Sequence, residues 1–272
     1  QEEMGGSLLD SREPLNGRDA VAWVADTLRE LATLDNVQLL PRTTATGRHD
    51  HNFVTLLERR TDHLGETAPD HRARLRLHRV RAKRIVLASG AHERPLVYAG
   101  NDIPGNFVAG ALSTYIHRYG VTPGQRLVLS TSNDQAYCAA LDWLDSGREV
   151  VAIVDARDNP DGELVAQARA RGIRVLCGSA VIEAQGGSRV SRVRVARIDP
   201  AGFRVVDRVE TLNCDTVASS GGYSPVIHLA VHTGARPIWR DEVPGFVAPQ
   251  VEGMIAAGAV TGAFTTEQAL RD

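Results

Sequence analysis

Residues 126–155 set the architecture of this 272-residue chain, and they read RLVLSTSNDQAYCAALDWLDSGREVVAIVD. An apolar run at 126–130 is followed by a short polar turn, by apolar residues at helical spacing, and by a second apolar run at 150–154. Because strand, helix and strand follow one another at this spacing, they predict a right-handed crossover between parallel strands. A helix at 163–170 and a strand at 173–177 extend the pattern to β-α-β-α-β. The sequence therefore predicts an α/β fold built on a parallel sheet.

The turn inside this stretch departs from the loop that binds dinucleotides. A strand–turn–helix–strand unit that ends in an acid, here Asp155, normally carries G-x-G-x-x-G, and the glycine positions here hold Thr131, Asn133 and Ala136. Alanine is acceptable at the third position, but Asn133 puts a side chain where bare backbone should approach the pyrophosphate. Asp134 adds a carboxylate, which at roughly 4–5 Å from a phosphate costs several kcal/mol at an effective dielectric near 20. We expect a degenerate second dinucleotide site; the alternative is a shifted ligand on the helix N-terminus, with Asp155 on a ribose hydroxyl.

Working outward, small residues follow several predicted strands at the strand ends, where open α/β sheets bind ligands. These turns are Gly5-Gly6, Ser89-Gly90-Ala91, Gly221-Gly222 and residues 258–262. One interpretation is that the backbone of these turns closely approaches a flat cofactor or its diphosphate. The other is that glycine is present only because the turns require a positive φ angle. We favour a cofactor crevice because all four turns are expected in the same topological place. Glu93 and Arg94, just after one of these turns, either orient a cofactor or pair with each other at a surface.

Further elements are predicted on both sides of the central unit. One strand, at 84–88, is nearly all apolar, which predicts burial on both of its faces. A first helix is predicted from a cap at Asn16-Gly17 to about residue 34. The other expected elements are strands at 38–40, 53–59 and 75–80, a helix at 108–118, an antiparallel ribbon at 181–183, 192–198 and 204–209, a strand at 216–219, a helix at 224–233, a strand at 254–257 and a terminal helix.

The composition is that of a globular protein, with 43% hydrophobic and 24% charged residues. Thirty-one basic and 33 acidic residues give a net charge of −2, which favours neither nucleic acid nor an anionic membrane. The densest basic stretch, 72–84, alternates arginine with apolar residues and predicts a strand whose guanidinium groups face water. It carries no aromatic residue for stacking on bases. We therefore expect no nucleic-acid partner.

Metal and membrane sites are not expected either. Cys138, Cys177 and Cys214 are isolated, as in a reducing compartment, and His228 and His232 lack an evident third ligand for zinc. No apolar run approaches the roughly 18 residues of a membrane span. The first residues lack the basic and apolar regions of a signal peptide. The expected location is cytoplasmic.

Six ordered motifs carry a resemblance to a known family. They are Gly5-Gly6, ASGAHERP at 88–95, GNDIPG at 100–105, STSNDQAY at 130–137, SGGYSPVIHL at 220–229 and AGAVTG at 257–262. Together they resemble the central part of the alpha subunit of heterotetrameric sarcosine oxidase, and the likeness covers essentially the whole chain. Related alpha subunits occur in opine oxidases, dye-linked proline dehydrogenases and hydrogen cyanide synthases.

The resemblance implies a two-domain, glutathione-reductase-like FAD/NAD(P)-binding fold in which a second, Rossmann-like domain interrupts the first. Residues 1–120 and 245–272 would form the discontinuous cofactor-binding domain, and residues 121–244 the inserted NAD(P)-binding-like domain. The family's alpha subunit holds NAD, or another nucleotide such as FAD in relatives. By resemblance this nucleotide would contact Gly5, Gly6, Ala88, Ser89, Gly90, Gly258, Ala259, Thr261 and Gly262.

The resemblance also implies partners. The family's alpha subunit packs on a beta subunit, which oxidises the amine on FAD, within a heterotetramer that includes small subunits, and an FMN lies near the interface. The implied reaction is oxidative demethylation of sarcosine to glycine, a one-carbon unit and hydrogen peroxide, with no catalytic residue assigned in this chain. An NAD(P)H-dependent flavin oxidoreductase, an opine or proline dehydrogenase subunit, and a non-catalytic interaction module stay open as alternatives.

Two departures from the family pattern matter. Ala88-Ser89-Gly90 stands where the family usually has Ala-Thr-Gly, which keeps a hydroxyl. The family's first strand and its own G-x-G-x-x-G are not in the sequence, so we interpret the chain as a fragment whose first domain is truncated at its N-terminus. Because a missing central strand leaves two rows of backbone donors and acceptors open, we expect a nucleotide to bind this chain alone weakly or not at all.

Overall fold

A computed structural model describes residues 2–12, 14–15, 17–207 and 209–272. Its α-helices are α1 (Ala20–Ala32), α2 (Ala109–Tyr119), α3 (Tyr137–Asp145), α4 (Glu163–Ala170), α5 (His228–Val231) and α6 (Thr266–Arg271). Its 3-10 segments are Gly6–Leu9, Asp50–Asn52, Asp62–Thr67 and Gly258–Thr261. None of the described helices has the length and apolarity needed to cross a bilayer.

The described strands are short, most of them between three and eight residues. In chain order they are β1 (Thr43–His49), β2 (Phe53–Arg59), β3 (Leu75–Arg81), β4 (Ile85–Leu87), β5 (Ala91–Glu93), β6 (Asn106–Val108), β7 (Arg126–Thr131), β8 (Glu149–Asp155), β9 (Val175–Leu176), β10 (Ser179–Gly186), β11 (Val190–Arg197), β12 (Glu210–Asn213), β13 (Thr216–Ser220), β14 (Tyr223–Pro225), β15 (Ile238–Arg240), β16 (Gly245–Val247) and β17 (Met254–Ala256).

The chain divides into two compact units. Gln1–His92 and Tyr223–Asp272 form the discontinuous unit, and Glu93–Gly222 form the inserted unit. Both boundaries lie 22 to 28 residues earlier than the sequence suggested. The stretch before residue 120 belongs to the inserted unit because β6 pairs with β13 and because Leu112 of α2 is fully buried there. The stretch after residue 222 belongs to the discontinuous unit, where the ring of Tyr223 packs 5.3 Å from that of Phe264.

The inserted unit is built on a five-stranded parallel sheet with the order β6-β13-β7-β8-β9. The predicted β-α-β-α-β run is confirmed as β7-α3-β8-α4-β9. Side chains alternate between the two faces of each strand, so Leu127, Leu129 and Ile153 pack against α2, α3 and α4. Val128 and Val154 face the other way and pack on the antiparallel ribbon β10-β11-β12. The sheet is therefore covered on both faces, as parallel sheets require.

Three elements of the inserted unit differ from their predicted bounds. The helix between β7 and β8, predicted from the apolar spacing to span 133–146, begins instead at Tyr137 as α3, because the Asn133 side chain closes a turn by accepting the N–H of Ala136 at 3.2 Å. The third ribbon strand is β12, not 204–209, because Asp199 Oδ1 accepts the N–H groups of two residues beyond the turn, Phe203 and Arg204. Residue 208 lies outside the described residues. The strand expected at 173–177 shortens to β9.

The discontinuous unit contains the antiparallel sheet β1-β2-β3, the parallel pair β4–β17 and the ribbon β15–β16. Asp19 caps α1, since its Oδ1 accepts the N–H of Ala22 at 2.9 Å. The expected cap residue, Asn16, lies outside the described residues. The strand predicted at 38–40 is wrong: β1 begins after Pro41, which has no N–H to donate to a ladder. The helix predicted at 224–233 shortens to α5 because its first residues form β14.

The expected burial of β4 on both faces is also wrong. Val86 is 67% exposed, and its neighbour in register on β17, Ile255, is 56% exposed. Within the described residues β4 pairs only with β17. One face of this pair packs into a small core with Leu87, Met254 and Val260, and the other is open. The apolar sequence of this strand shows that burying both faces would be favourable. It does not show that residues of this chain cover both faces.

Gly100 shows why the GNDIPG motif needs its first glycine. Its φ angle is +73°, and a Cβ at this position would lie 2.2 Å from the carbonyl oxygen of Ala184 on β10. Gly120 has a similar φ of +63° but nothing within 4 Å of the corresponding position. The pair therefore separates the cost of a left-handed backbone from the cost of a collision.

We expect Gly120→Ala to lower the free energy of unfolding by about 1 kcal/mol, the backbone cost alone. Gly100→Ala should lower it by about 3 kcal/mol or more, because the Ala99–Ala184 backbone contact at 2.8 Å must also open. Urea unfolding followed by circular dichroism measures both. Equal losses in the two variants would contradict the steric argument.

Candidate functional site

The residues 131–136, which we call the fingerprint loop, are closed by their own side chains. Thr131 is fully buried at the end of β7, and its Oγ1 accepts the N–H of Asn133 at 3.0 Å. The Asn133 amide nitrogen donates to the carbonyl oxygen of Ser220 at 3.2 Å and to its Oγ at 3.0 Å. Ser220 ends the neighbouring strand β13. Asn133 thus joins the ends of two parallel strands where a pyrophosphate would have to enter.

The first turn of α3 has no vacant amide to offer an anion. The N–H groups of Tyr137, Cys138 and Ala139 donate to carbonyl oxygens three residues earlier, at 3.0 to 3.2 Å. The N–H of Ala136 donates to the Asn133 side chain. Phosphate-binding helices leave these donors for the ligand. Ala136 itself is 2% exposed and packs in the core, as expected of the third glycine position.

Asp155 is fully buried at the end of β8, and both of its carboxylate oxygens are occupied. Oδ1 accepts the backbone N–H of Arg157 at 2.9 Å and its Nε–H at 3.0 Å. Oδ2 accepts from the Arg157 Nη2 at 2.7 Å and from the Tyr137 hydroxyl at 2.8 Å. The shifted ligand pose, in which Asp155 binds a ribose hydroxyl, would therefore require these contacts to open.

Arg157 also pairs with Asp134, the acid that we expected to repel a diphosphate. Its Nη1 lies 2.7 Å from Asp134 Oδ1, so one guanidinium bridges Asp134 and Asp155. Burial on its own lowers the pKa of Arg157, but the hydrogen bonds to both aspartates raise it above its ordinary value. Burial, and then the hydrogen bond to Asp155, raise the pKa of Tyr137, which keeps its phenol a donor. One guanidinium between two carboxylates leaves a net charge of −1, so the expected repulsion of a diphosphate is reduced rather than removed. The side-chain amide of Asn133 and the N–H groups of residues 136–139 are in addition bonded within the chain.

Glu93 is connected to the same hydrogen-bond network through Ser220. Its Oε2 accepts the N–H of Gly110 in the first turn of α2 at 2.8 Å, and it accepts a side-chain hydrogen bond from Ser220. Burial raises the pKa of Glu93 above its usual range. Ser220 and Tyr137 lie within the motifs that carry the family resemblance, but no sequence pattern indicated their contacts. Arg157 would have been visible only as a cation two residues after a strand's terminal acid.

The turns predicted to hold a nucleotide lie in the discontinuous unit. The Ser89 hydroxyl donates to the Val226 carbonyl at 2.6 Å, and the Val226 N–H donates to the Gly90 carbonyl at 2.9 Å, which fixes that turn. The Ala88–Gly90 and Gly258–Gly262 turns follow β4 and β17, which are parallel neighbours, so the structure brings them to the same end of this pair. Gly5 packs instead against Leu9 and Val24 near α1.

The Gly258–Gly262 turn already holds an anionic group. The Gly258 N–H donates to Asp272 Oδ2 at 3.0 Å, and the Thr261 Oγ1 lies 2.6 Å from the same oxygen. Gly258 and Gly262 adopt φ angles of +73° and +96°. Two donors that converge on one carboxylate oxygen can equally hold a phosphate or ribose oxygen.

The described part of the chain contains no group of three histidine, cysteine, aspartate or glutamate side chains with the spacing of a metal site. His232 uses its Nδ1 to accept the backbone N–H of Arg48 at 3.2 Å. Arg48, 6% exposed, also donates to Asn52 and Thr233, so this histidine is part of a structural network.

Arg157→Met should lower the free energy of unfolding by about 3 kcal/mol, because it strips the buried Asp155 of its counter-ion. Arg171→Met, which breaks the exposed pair with Asp145, should cost about 0.5 kcal/mol or less. The double variant Arg157→Met/Asp155→Asn should recover part of the loss, since no charge is then buried. Chemical denaturation of the four proteins measures this, and similar losses in both single variants would contradict it.

Glu93→Gln should change how stability depends on pH. The folded pKa of Glu93 is raised, so the folded state holds a proton that the unfolded state has released, and stability falls as pH rises through that range. Relative to wild type, the glutamine variant should therefore gain stability as pH rises above about 4.3, the ordinary pKa of glutamate. Glu66→Gln, at an exposed site, is the control. A difference that does not vary with pH would refute the assignment.

No protein-family profile matches the chain. It is 39% identical over 272 residues to the sarcosine oxidase alpha subunit of Corynebacterium sp. strain P-1, covering 98% of this chain and 28% of that protein. It is 40% identical over 262 residues to that of Rhizobium meliloti, covering 95% and 25%. The chain thus spans about a quarter of the length of these relatives. A shorter match is an opine oxidase subunit of Rhizobium meliloti, 33% identical over 29% of this chain and 17% of that protein.

Solved structures show the same fold at low sequence identity. L-proline dehydrogenase from P. horikoshii matches with a TM-score of 0.66 and 18% identity, over 96% of this chain and 44% of that one. Thioredoxin reductase from Lactococcus lactis matches with a TM-score of 0.67 and 16% identity, over 100% and 85%. The predicted α/β, FAD/NAD(P)-binding oxidoreductase fold is confirmed. Over nearly its whole length, this chain is a homologue of part of the sarcosine oxidase alpha subunit.

Proposed function

We propose that this chain is the nucleotide-binding and scaffold part of the alpha subunit of a sarcosine-oxidase-type amine oxidase. The observation that carries the proposal is identity of 39–40% over at least 95% of the chain. The reaction is oxidative demethylation of sarcosine to glycine, a one-carbon unit and hydrogen peroxide. An oxidase draws its electrons from the amine, so it needs no hydride from NAD(P)H. The closed fingerprint loop is compatible with that reaction.

The nucleotide of the alpha subunit, NAD or FAD, is proposed to bind the discontinuous unit. The donors at Gly258 and Thr261 fit an anionic oxygen, since the Asp272 carboxylate occupies them. Gly6 and Gly90 have positive φ angles and nothing within 4 Å of the position that a Cβ would take, which leaves room for close approach to the backbone. Ser89 acts indirectly: its hydroxyl is used to fix the turn rather than to touch a ligand.

The amine chemistry is proposed to lie on a partner subunit. A beta-type subunit with FAD would take two electrons from the amine, with FMN near the interface and small subunits completing a heterotetramer. The role of this chain is then to hold its nucleotide and to supply a rigid lobe. The lobe is rigid because Asn133, Ser220 and Glu93 connect the fingerprint loop to the start of α2. No residue described above is assigned to proton removal from the amine.

An NAD(P)H-dependent flavin oxidoreductase is the principal alternative. It would require the inserted unit to bind the coenzyme, and there Asp155 is buried with both of its oxygens bonded. The first-turn amides of α3 are bonded within the chain as well. These contacts favour the oxidase over the reductase. Likeness to proline dehydrogenase is a likeness of fold and selects no substrate.

The test uses the full subunit that carries this sequence, co-purified with its partner subunits. Under anaerobic conditions sarcosine should bleach the flavin absorbance, and readmitted oxygen should yield hydrogen peroxide. NADH should not bleach the flavin, because Asp155 and the first-turn amides of α3 are bonded within the inserted unit. Thioredoxin reductase, which NADPH reduces, serves as the positive control for the pyridine nucleotide arm. Rapid bleaching by NADH or NADPH would contradict the proposal, as would oxidation of proline or an opine in place of sarcosine.

A further inference from the structure

Strand β3 lies at the edge of the sheet β1-β2-β3, so one of its sides is unpaired within the described residues. The hydrogen bonds at its two ends show which side that is. The Arg60 N–H donates to the Arg74 carbonyl, and the Ala82 N–H donates to the Asn52 carbonyl. Because inward and outward residues alternate along an antiparallel strand, the odd-numbered residues from 75 to 81 turn their N–H and C=O groups outward. No described residue bonds to those groups.

The side chains of the same four residues share one face of the sheet, since side chains alternate with period two. We call them the outer stripe of β3: Leu75, Leu77, Arg79 and Arg81. Leu75 is 46% and Leu77 59% exposed, and both arginines are exposed. The Arg81 guanidinium lies 5.9 Å from the centre of the Phe53 ring on β2. The outer stripe is thus apolar at one end and cationic at the other.

The surroundings of the outer stripe are strongly basic in a chain whose net charge is −2. Residues 72–84 contain seven cations and no acid. Arg74 pairs with Asp62 at 2.7 Å, and Arg76 lies 3.7 Å from Glu58. The other five cations form no ion pair with any described residue: Arg72, Arg79, Arg81, Lys83 and Arg84.

We infer that the outer stripe of β3 docks an extended acidic segment of a partner polypeptide, which adds to the sheet as a fourth strand. The open main-chain groups supply hydrogen bonds, the leucines receive alternate apolar side chains, and the arginines pair with carboxylates. A row of alternating N–H and C=O groups is complementary to a peptide backbone rather than to a nucleic acid. Charged residues also protect open edges from aggregation, but that role does not explain two exposed leucines on the same stripe.

The probe is a fluorescein-labelled peptide, Glu-Thr-Glu-Thr-Leu-Thr-Leu. In an antiparallel register its two acids face the two arginines of the outer stripe and its leucines face the two leucines. We expect fluorescence anisotropy with the 272-residue chain to show saturable binding. It should weaken severalfold when ionic strength rises from about 0.05 M to about 0.3 M, because exposed charges are screened. Methylating the alternate peptide nitrogens that face β3 should abolish binding, since the main-chain bonds are then lost.

A charge swap distinguishes docking from a general attraction. Arg79→Glu/Arg81→Glu should weaken the acidic peptide about tenfold or more, and a peptide with lysine in place of both glutamates should bind this variant best. Arg236→Glu/Arg240→Glu changes the same charge at exposed sites outside this sheet and should leave binding unchanged. Circular dichroism confirms that each variant folds.

Three results would overturn the inference. One is no saturable binding of the acidic peptide to the wild-type chain. Another is equal binding of the lysine peptide to the wild-type chain. The third is tighter binding of a single-stranded oligonucleotide of matched length than of the peptide, which would make the surface a nucleic-acid site. None of these outcomes depends on the amine chemistry proposed above.

Discussion

A buried carboxylate needs a counter-ion, and in the inserted unit Arg157 supplies it to Asp155. Removing an ion from water costs several kcal/mol unless a partner and full hydrogen bonding compensate. Here Arg157 donates to both oxygens and Tyr137 adds a further donor. The strand end that would hold a ribose is therefore satisfied by the chain itself. The Arg157–Asp155 ion pair lies where the fingerprint loop, the start of α3 and the end of β13 come together.

Because these polar groups are bonded within the chain, the inserted unit can keep its fold without binding a ligand. The parallel sheet needs its strands, its covering helices and its ribbon, and all of these are present. A nucleotide needs free amides, bare backbone and a free acid. Here the N–H groups of residues 136–139 and both carboxylate oxygens of Asp155 are bonded within the chain, and Asn133 puts a side chain on the loop. The retained architecture then acts as a lobe of fixed shape. A lobe of fixed shape suits the scaffold role that we propose.

Sequence patterns were sufficient where the physical cause is local. The β-α-β-α-β run follows from periodicity and is confirmed. The degenerate dinucleotide site, expected from residue type at three positions because a side chain at Asn133 is incompatible with close backbone approach, stays a prediction. Sequence patterns failed where a residue's environment depends on segments that are distant in the sequence. Val86 is apolar yet exposed because burial depends on what covers the strand. The role of Arg157 depends on packing that brings Asp134, Tyr137 and Asp155 around one guanidinium, and no spacing rule encodes that.

The hydroxyl of Ser220 has a consequence for how such a protein can change. It receives the Asn133 amide and bonds to the Glu93 carboxylate, so one oxygen serves two loops that are far apart along the chain. Replacing Ser220 would remove a contact from both: the Asn133 amide would keep the Ser220 carbonyl, and the Glu93 carboxylate would keep the Gly110 N–H. Because Asn133 and Glu93 meet at this one hydroxyl, the effects of substituting them on the free energy of unfolding should not be additive.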